Sequence, residues 1–237
     1  MWVVAPVRAE VVLVAVASNF AAPFQHIAQQ FTRQTGHQVT ASIGSTGKFH
    51  AQVRNGAPFA VLIAADDETP AKLIDEGLAV PGSSFTYAHG KLALWSARPG
   101  FVDPKGDVLK TGRFQHLALA DPRLAPYGVA GVQVLKNLGL WETLSGKVVQ
   151  GASIAQAHQF VVSGNADLGF VAWSQVFVPG RQSEGSGWLV PSHLHDPIRQ
   201  NAVLLNRGAT QPAAQALLRY LRSDAAKTVI QSWGYGP

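Results

Sequence analysis

The sequence predicts an α/β fold, with parallel sheets that carry helices on both faces. Three observations lead there. Val11–Ala17 is an uninterrupted apolar run rich in β-branched residues, the pattern of a strand buried on both sides. The order of apolar strand, short polar turn and helix then recurs along the chain, as it does in βαβ units. No composition shift or Pro/Ser-rich linker divides the 237 residues, so two halves of this chain would have to be joined by strands.

After the first strand, Ser18-Asn19 forms the turn, and Phe24, Ile27, Ala28 and Phe31 follow at helical spacings of three and four. Thr35-Gly36-His37 ends that helix. Residues 38–43 are the second strand, Gly44-Ser45-Thr46-Gly47 the second turn, and a short helix runs through Phe49 and Val53 to Asn55-Gly56. Residues 58–65 make a third strand, and Thr69-Pro70 opens a helix with proline in its first turn. Further on, residues 91–96 and Leu117–Ala120 read as strands, 122–127 as a loop, and 128–138 as a helix stopped by Gly139. Residues 147–150 are a short strand, and Gly151-Ala152-Ser153 leads into a helix through Ile154, Ala157 and Val161. Residues 167–172 are a strand, and 212–231 are mostly helical. The apolar segments 87–96 and 199–205 are the candidates for strands that cross between halves.

At 47% hydrophobic and 14% charged residues, the chain is globular and not disordered. Lys+Arg exceed Asp+Glu by 19 to 14, a net charge of +5. The basic residues are scattered singly, as at Arg33, Lys48, Arg54 and Lys72. A nucleic-acid binder shows a clustered basic stripe, so no nucleic-acid partner is expected. With no cysteine, disulfides and thiolate chemistry are excluded. Near the N-terminus, Pro6, Arg8 and Glu10 interrupt two apolar stretches, which excludes a membrane span. Val7-Arg8-Ala9 has the alternate small residues of an export cleavage site. Residues 1–9 are therefore expected to be a residual signal segment, with Glu10 the first mature residue.

The stretch Ser42-Ile43-Gly44-Ser45-Thr46-Gly47-Lys48-Phe49 looks at first like a phosphate loop, whose form is G-x-x-x-x-G-K-[ST]. Ser42 stands where the first glycine belongs and Phe49 where the Mg²⁺-binding hydroxyl belongs, so a nucleotide is not expected. What remains is a hydroxyl-rich turn at a helix start. Ser18-Asn19, Ser45-Thr46, Pro126-Tyr127 and Ser153-Ile154 are four such turns. Free N–H groups and the macrodipole make helix N-termini anion sites, and open α/β sheets bind ligands at the carboxyl ends of their strands.

Catalytic readings are thin. His158 lies one turn past Ser153 with no acid placed to orient it, and no G-x-S-x-G elbow is present. His193-Leu194-His195-Asp196 lacks further metal ligands, and Asp66-Asp67-Glu68 sits where helix-start acids are common.

Several segments together resemble the periplasmic molybdate-binding proteins of ABC importers. They are Ala17-Ser18-Asn19-Phe20, Gly36-His37, Gly44-Ser45-Thr46-Gly47, Asn55-Gly56-Ala57-Pro58, Ala64-Ala65-Asp66, Tyr87-Ala88-His89-Gly90-Lys91-Leu92, Asp121-Pro122, Ala125-Pro126-Tyr127-Gly128, Asp167-Leu168-Gly169-Phe170 and Gly234-Tyr235. The resemblance runs from Glu10 to nearly the end of the chain, in the same order. It implies a type II periplasmic-binding-protein-like fold, two α/β lobes joined by two crossover strands with the ligand in the cleft. The lobes would be residues 10–88 with 203–237, and 89–202. By position, the oxyanion ligands would be Ser18, Asn19, Ser45, Thr46, Tyr127 and Ile154. Thr46 stands where relatives usually have Ser. Tyr127 and Ile154 would donate backbone N–H groups. Some relatives add a Tyr hydroxyl where this chain has Ala172, and Asn19 would supply that donor instead. The family implies no cofactor and no enzymatic activity. Its ligand is molybdate or tungstate, its partner the membrane permease of an ABC transporter, its location the periplasm and its state a monomer. A donor-only site suits a fully deprotonated dianion and needs no Lys or Arg. Sulfate is the alternative ligand. A hydrolase in the same cleft would need a base, and a sensing domain of a regulator would need a DNA-binding segment.

Overall fold

The computed structural model describes residues 9–177 and 184–236, and the expected signal segment lies, up to residue 8, outside the described residues. Within them the strands are β1 (Val11–Ala17), β2 (Gln38–Gly44), β3 (Val61–Ile63), β4 (Phe85–Gly90), β5 (Leu92–Ser96), β6 (Leu117–Ala120), β7 (Val148–Gly151), β8 (Leu168–Ala172), β9 (Ser186–Leu189) and β10 (Ile198–Leu204). The helices are α1 (Ala21–Thr35), α2 (Thr46–Arg54), α3 (Glu68–Asp75), α4 (Val108–Thr111), α5 (Pro126–Asn137), α6 (Trp141–Leu144), α7 (Ile154–Val162), α8 (Trp173–Val176), α9 (Pro212–Leu221) and α10 (Asp224–Ser232).

Two mixed sheets result, in the orders β2-β1-β3-β10-β4 and β7-β6-β8-β5-β9. In the first, β1 lies parallel between β2 and β3, and β10 is antiparallel to β3 and β4. In the second, β6 lies parallel between β7 and β8, and β5 is antiparallel to β8 and β9. The two plans are equivalent strand for strand. β4 ends at Gly90 and β5 begins at Leu92, so the chain passes from one sheet to the other at Lys91. It returns between Leu189 and Ile198.

The continuous apolar runs are explained by burial on both faces. Val12, Val14 and Val16 of β1 point into one core with Phe24, Ile27 and Phe31 of α1, Leu217 of α9 and Ile230 of α10. Ala15, between them, points into a second core with Phe49, Val53 and Leu73. That is the period of two expected of a strand. Around the second sheet, Leu94, Leu119 and Phe170 pack with Leu135 and Val161. Each such side chain fully buried contributes about 1.5–3 kcal/mol.

α1 ends as its sequence suggests. Gly36 takes φ 76° and its N–H donates to Thr32 O, the left-handed cap that favours glycine. Other elements differ at their ends. The third strand is paired only over Val61–Ile63, and the tail is two helices with a break between Leu221 and Asp224. α5 begins at Pro126, two residues before the expected start, with extended Ala125 ahead of it. Proline at the first helical position has its φ already set and no N–H to leave unpaired, so the proline read as loop is the helix start.

Candidate anion-binding site

The six residues named from sequence, Ser18, Asn19, Ser45, Thr46, Tyr127 and Ile154, line one pocket with Ala65, Ala125 and Pro126. Its cavity volume is about 10 Å³, far below the roughly 300–1,000 Å³ of pockets for drug-sized ligands. The pocket is thus scaled to a small ion. Ser18 follows β1, Thr46 follows β2, Tyr127 lies beyond β6 and Ile154 beyond β7. Each stands just past the carboxyl end of its strand, where chemistry collects in open α/β sheets.

Each helix start commits some of its first N–H donors elsewhere and leaves others free. In α7, Gln156 N–H donates to Ser153 Oγ at 3.2 Å and Ala155 N–H to Ser18 Oγ at 3.4 Å. The N–H of Ile154 finds no acceptor among the described residues. In α5, Pro126 has no N–H, and Gly128 N–H donates to Ala125 O at 2.8 Å, leaving Tyr127 N–H. In α2, Gly47 N–H donates to Leu124 O at 2.9 Å and Phe49 N–H to Ser45 O at 3.1 Å, leaving the N–H groups of Lys48 and of Thr46, the first helical residue and the one that lines the pocket.

The hydroxyls follow the same logic. Thr46 Oγ1 accepts the N–H of Ala65 at 3.0 Å, so its hydrogen is free to point elsewhere. Ser18 Oγ likewise accepts from Ala155. Ser45 is 4% exposed, yet its Oγ has no partner and does not cap its own helix. A buried hydroxyl left unpaired costs about 1–3 kcal/mol, so a bound acceptor at this position is favoured.

None of the lining residues carries a formal charge. The one ionisable group is the Tyr127 phenol, which burial pushes well above its ordinary pKa. That phenol accepts from Gln200 Nε2 at 3.0 Å. Lys48 is exposed, and Gly47 has a steric reason to be glycine. A Cβ there would meet Leu124 Cα and O at 3.0 Å, where α2 touches the loop before α5.

Behind the pocket lies a buried polar network that sequence reasoning did not assemble. Asn19 Nδ2 donates to Gln200 Oε1 at 2.9 Å and to Tyr235 OH at 3.0 Å, while its Oδ1 has no partner. Tyr87 OH lies 2.8 Å from Gln200 Oε1 and 2.9 Å from Ala64 O, either of which its hydrogen can reach. Tyr235 OH and Ser174 Oγ both reach Asn19 O, at 2.8 and 3.0 Å. The side-chain donor expected of Asn19 is therefore already engaged. One signal for the network was present, since Gln200 is a polar residue inside a segment read as a crossing strand, and it is fully buried.

The rival chemistries do not assemble. The His158 ring packs on Trp95, 5.2 Å between centroids, and burial lowers its pKa. His195 Nδ1 lies 2.7 Å from the neighbouring Asp196 O. Asp66 accepts from Thr69 N–H at 2.9 Å at the start of α3, and burial raises its pKa. Among the described residues no group of His, Cys, Asp and Glu could hold a metal ion.

Residues 12–236 match the family model described as bacterial extracellular solute-binding protein. The molybdate-binding protein ModA of Azotobacter vinelandii is 58% identical over 229 residues, covering 97% of this chain and 91% of that one. ModA of Rhodobacter capsulatus is 50% identical over 235 residues, covering 99% and 92%. The solved periplasmic molybdate-binding protein of Azotobacter vinelandii superposes with a TM-score of 0.93 at 42% identity, covering 95% of this chain and 99% of that one.

Proposed function

The chain belongs to the bacterial extracellular solute-binding proteins, and among them to the ModA molybdate-binding proteins, and from that premise we propose that it captures molybdate in the periplasm for an ABC importer. Its family binds solutes and does not catalyse reactions. Tungstate, with the same charge and shape, is taken by the same site. The partner is the membrane permease, and the protein works as a monomer.

The observation that carries this reading is the unpartnered Ser45 hydroxyl in a pocket ringed by spare donors and free of formal charge. In the proposal the anion takes hydrogen bonds from the N–H groups of Thr46, Tyr127 and Ile154 and from the hydroxyls of Ser18, Ser45 and Thr46. Burying a dianion is costly unless it is hydrogen-bonded throughout, and the ends of α2, α5 and α7 supply both donors and positive potential. Sulfate has the same charge but shorter bonds, and it reaches fewer of these donors at good distance.

The lobes move as units, opening to release the ion. We draw their boundaries at Lys91 and ahead of Ile198, because residues 198–204 pair in the first sheet. Gly47 N–H to Leu124 O and Ala155 N–H to Ser18 Oγ are then contacts of the closed form.

Calorimetry and thermal unfolding with molybdate, tungstate, sulfate and phosphate test the reading. At a hundredfold excess over Kd, molybdate and tungstate are expected to stabilise the fold by about 2.7 kcal/mol. A shift with sulfate and none with molybdate would overturn the proposal in favour of a sulfate-binding protein.

A further inference from the structure

We infer that Gln200, which does not line the pocket, is a positioning residue that sets which way round the Asn19 amide faces the anion. The inference rests on the anion site proposed above and extends it to the strand that returns between the sheets.

Asn19 lines the pocket and is 3% exposed, and Gln200 is fully buried behind it. An Asn or Gln amide can turn over by 180° with almost no change of shape, exchanging donor for acceptor. In the arrangement described, Asn19 Nδ2 donates inward to Gln200 Oε1 and Tyr235 OH, and Oδ1 is left without a partner. Gln200 Nε2 donates to Tyr127 OH, which leaves the Tyr127 hydrogen without a matching acceptor in this set. An acceptor on the pocket side of Asn19 opposes a deprotonated oxyanion, which also only accepts.

Turning both amides together removes the conflicts at Asn19 and Tyr127. Asn19 Oδ1 then accepts from Gln200 Nε2 and from Tyr235 OH, whose hydrogen leaves Asn19 O to Ser174 Oγ, and the Asn19 NH₂ is released toward the pocket. Gln200 Oε1 accepts from Tyr127 OH. Tyr87 accepts from Gln200 Nε2 and keeps its own hydrogen on Ala64 O, 2.9 Å away. No heavy atom has to move far. Asn19 cannot turn alone, because its Oδ1 would then face Gln200 Oε1, acceptor to acceptor. Gln200 therefore holds the Asn19 donor for a deprotonated anion, and its opposite setting offers an acceptor to a protonated one such as hydrogen phosphate. All the groups are uncharged, so the linkage needs no proton uptake.

The test is a double-mutant cycle on Gln200→Met and Asn19→Ala, which isolates what the two residues do jointly. Molybdate, sulfate and phosphate affinities are measured by calorimetry, with thermal unfolding of the anion-free variants. Gln200→Met is expected to fold and to lose about tenfold in molybdate affinity in the native background, the scale of one hydrogen bond to a charged group. In the Asn19→Ala background the same change is expected to cost nothing further. In ¹⁵N-labelled protein, the side-chain amide resonances of Asn19 and Gln200 are expected to shift together on adding molybdate, and Asn19 alone in Tyr127→Phe to shift less. An equal loss in both backgrounds, or unchanged affinity with only a lower Tm, would overturn the inference. Native protein that binds sulfate but not molybdate would sink the functional reading while the cycle, run with sulfate, still decides the role of Gln200. Native protein that binds none of the anions would overturn both.

Discussion

After β1 and β2 the chain holds out hydroxyls, those of Ser18, Ser45 and Thr46. After the equivalent strands β6 and β7 it holds out only the N–H groups of Tyr127 and Ile154. The strand plans match, and the helix starts match, yet the donors differ in kind. In the proposed site the anion's partners in the first half are partly side chains, which a point mutation can remove. In the second half they are backbone, and the side chains there answer to packing, with Tyr127 and Ile154 only 1% and 3% exposed. Ser153, the hydroxyl at the start of α7, caps its own helix by accepting from Gln156 N–H and does not line the pocket. Substitution should therefore weaken binding on one side of the cleft and stability on the other.

The largest expected effect is on the hydroxyl side. Thr46→Val keeps the branched shape but removes the acceptor for Ala65 N–H and the hydrogen free for the anion. Molybdate binding is expected to weaken by about 1.5–3 kcal/mol, measured by calorimetry, whereas Thr46→Ser is expected to retain it. A Thr46→Val variant that bound normally would mean that only the Thr46 N–H is used.

Ser45→Ala separates binding from folding more sharply. Its Oγ is buried and unpartnered in the anion-free protein, so removing it is expected to leave the free protein as stable or to stabilise it by up to about 1 kcal/mol. Affinity is expected to fall by about the same amount. Opposite signs in thermal unfolding without and with molybdate would be the signature; a loss of stability without ligand would show that the hydroxyl is structural.

On the backbone side, Ile154→Val is expected to cost about 0.5–1.5 kcal/mol of stability through the lost methylene, with affinity within about twofold. A large affinity loss with unchanged stability would reverse the comparison. Tyr127→Phe keeps the backbone N–H, so a role confined to that group predicts little change in affinity. The structure adds a cost, because the phenol is the acceptor for Gln200 Nε2 and its removal strips one bond from the network behind the pocket.

The same contrast explains what was legible in the sequence. β1 and β6 could be read to the residue, because continuous apolar runs bounded by polar turns have few alternatives. The hydroxyl turns of the first half carry their chemistry in side chains, so composition pointed to them. The turns at Tyr127 and Ile154 were legible as helix starts, but a backbone donor has no letter in the sequence, and only the ordered resemblance to a family suggested these two N–H groups. The start of α5 was misread because proline is both a loop residue and a first-turn residue. Gln200, Tyr235, Tyr87 and Ser174 come from four separate segments, and no local pattern could have joined them to Asn19.

The smallest expected effect is an absence of change with pH, and it tests both halves at once. Hydroxyls and backbone N–H groups do not titrate, and no Asp, Glu, His, Lys or Arg lines the pocket. The Tyr127 phenol does titrate, but burial raises its pKa well above the ordinary value, so it stays protonated through the neutral and mildly alkaline range. The sign follows from that direction. With a folded pKa above the unfolded one, the phenol's contribution to stability is complete below the ordinary tyrosine pKa and is lost as pH rises from there through the raised value. The phenols of Tyr87 and Tyr235, behind Asn19, are raised by burial in the same way. Molybdate is itself fully deprotonated at neutral pH. Affinity is therefore expected to be flat from about pH 6 to about pH 9, a window spanning the ordinary histidine and cysteine pKa values. Calorimetry across that window in buffers of constant ionic strength would check it. A slope near pH 6.5 would put a histidine on the ion, and a slope near pH 9 would mean that a phenol of the network gives up its proton far more readily than its burial allows.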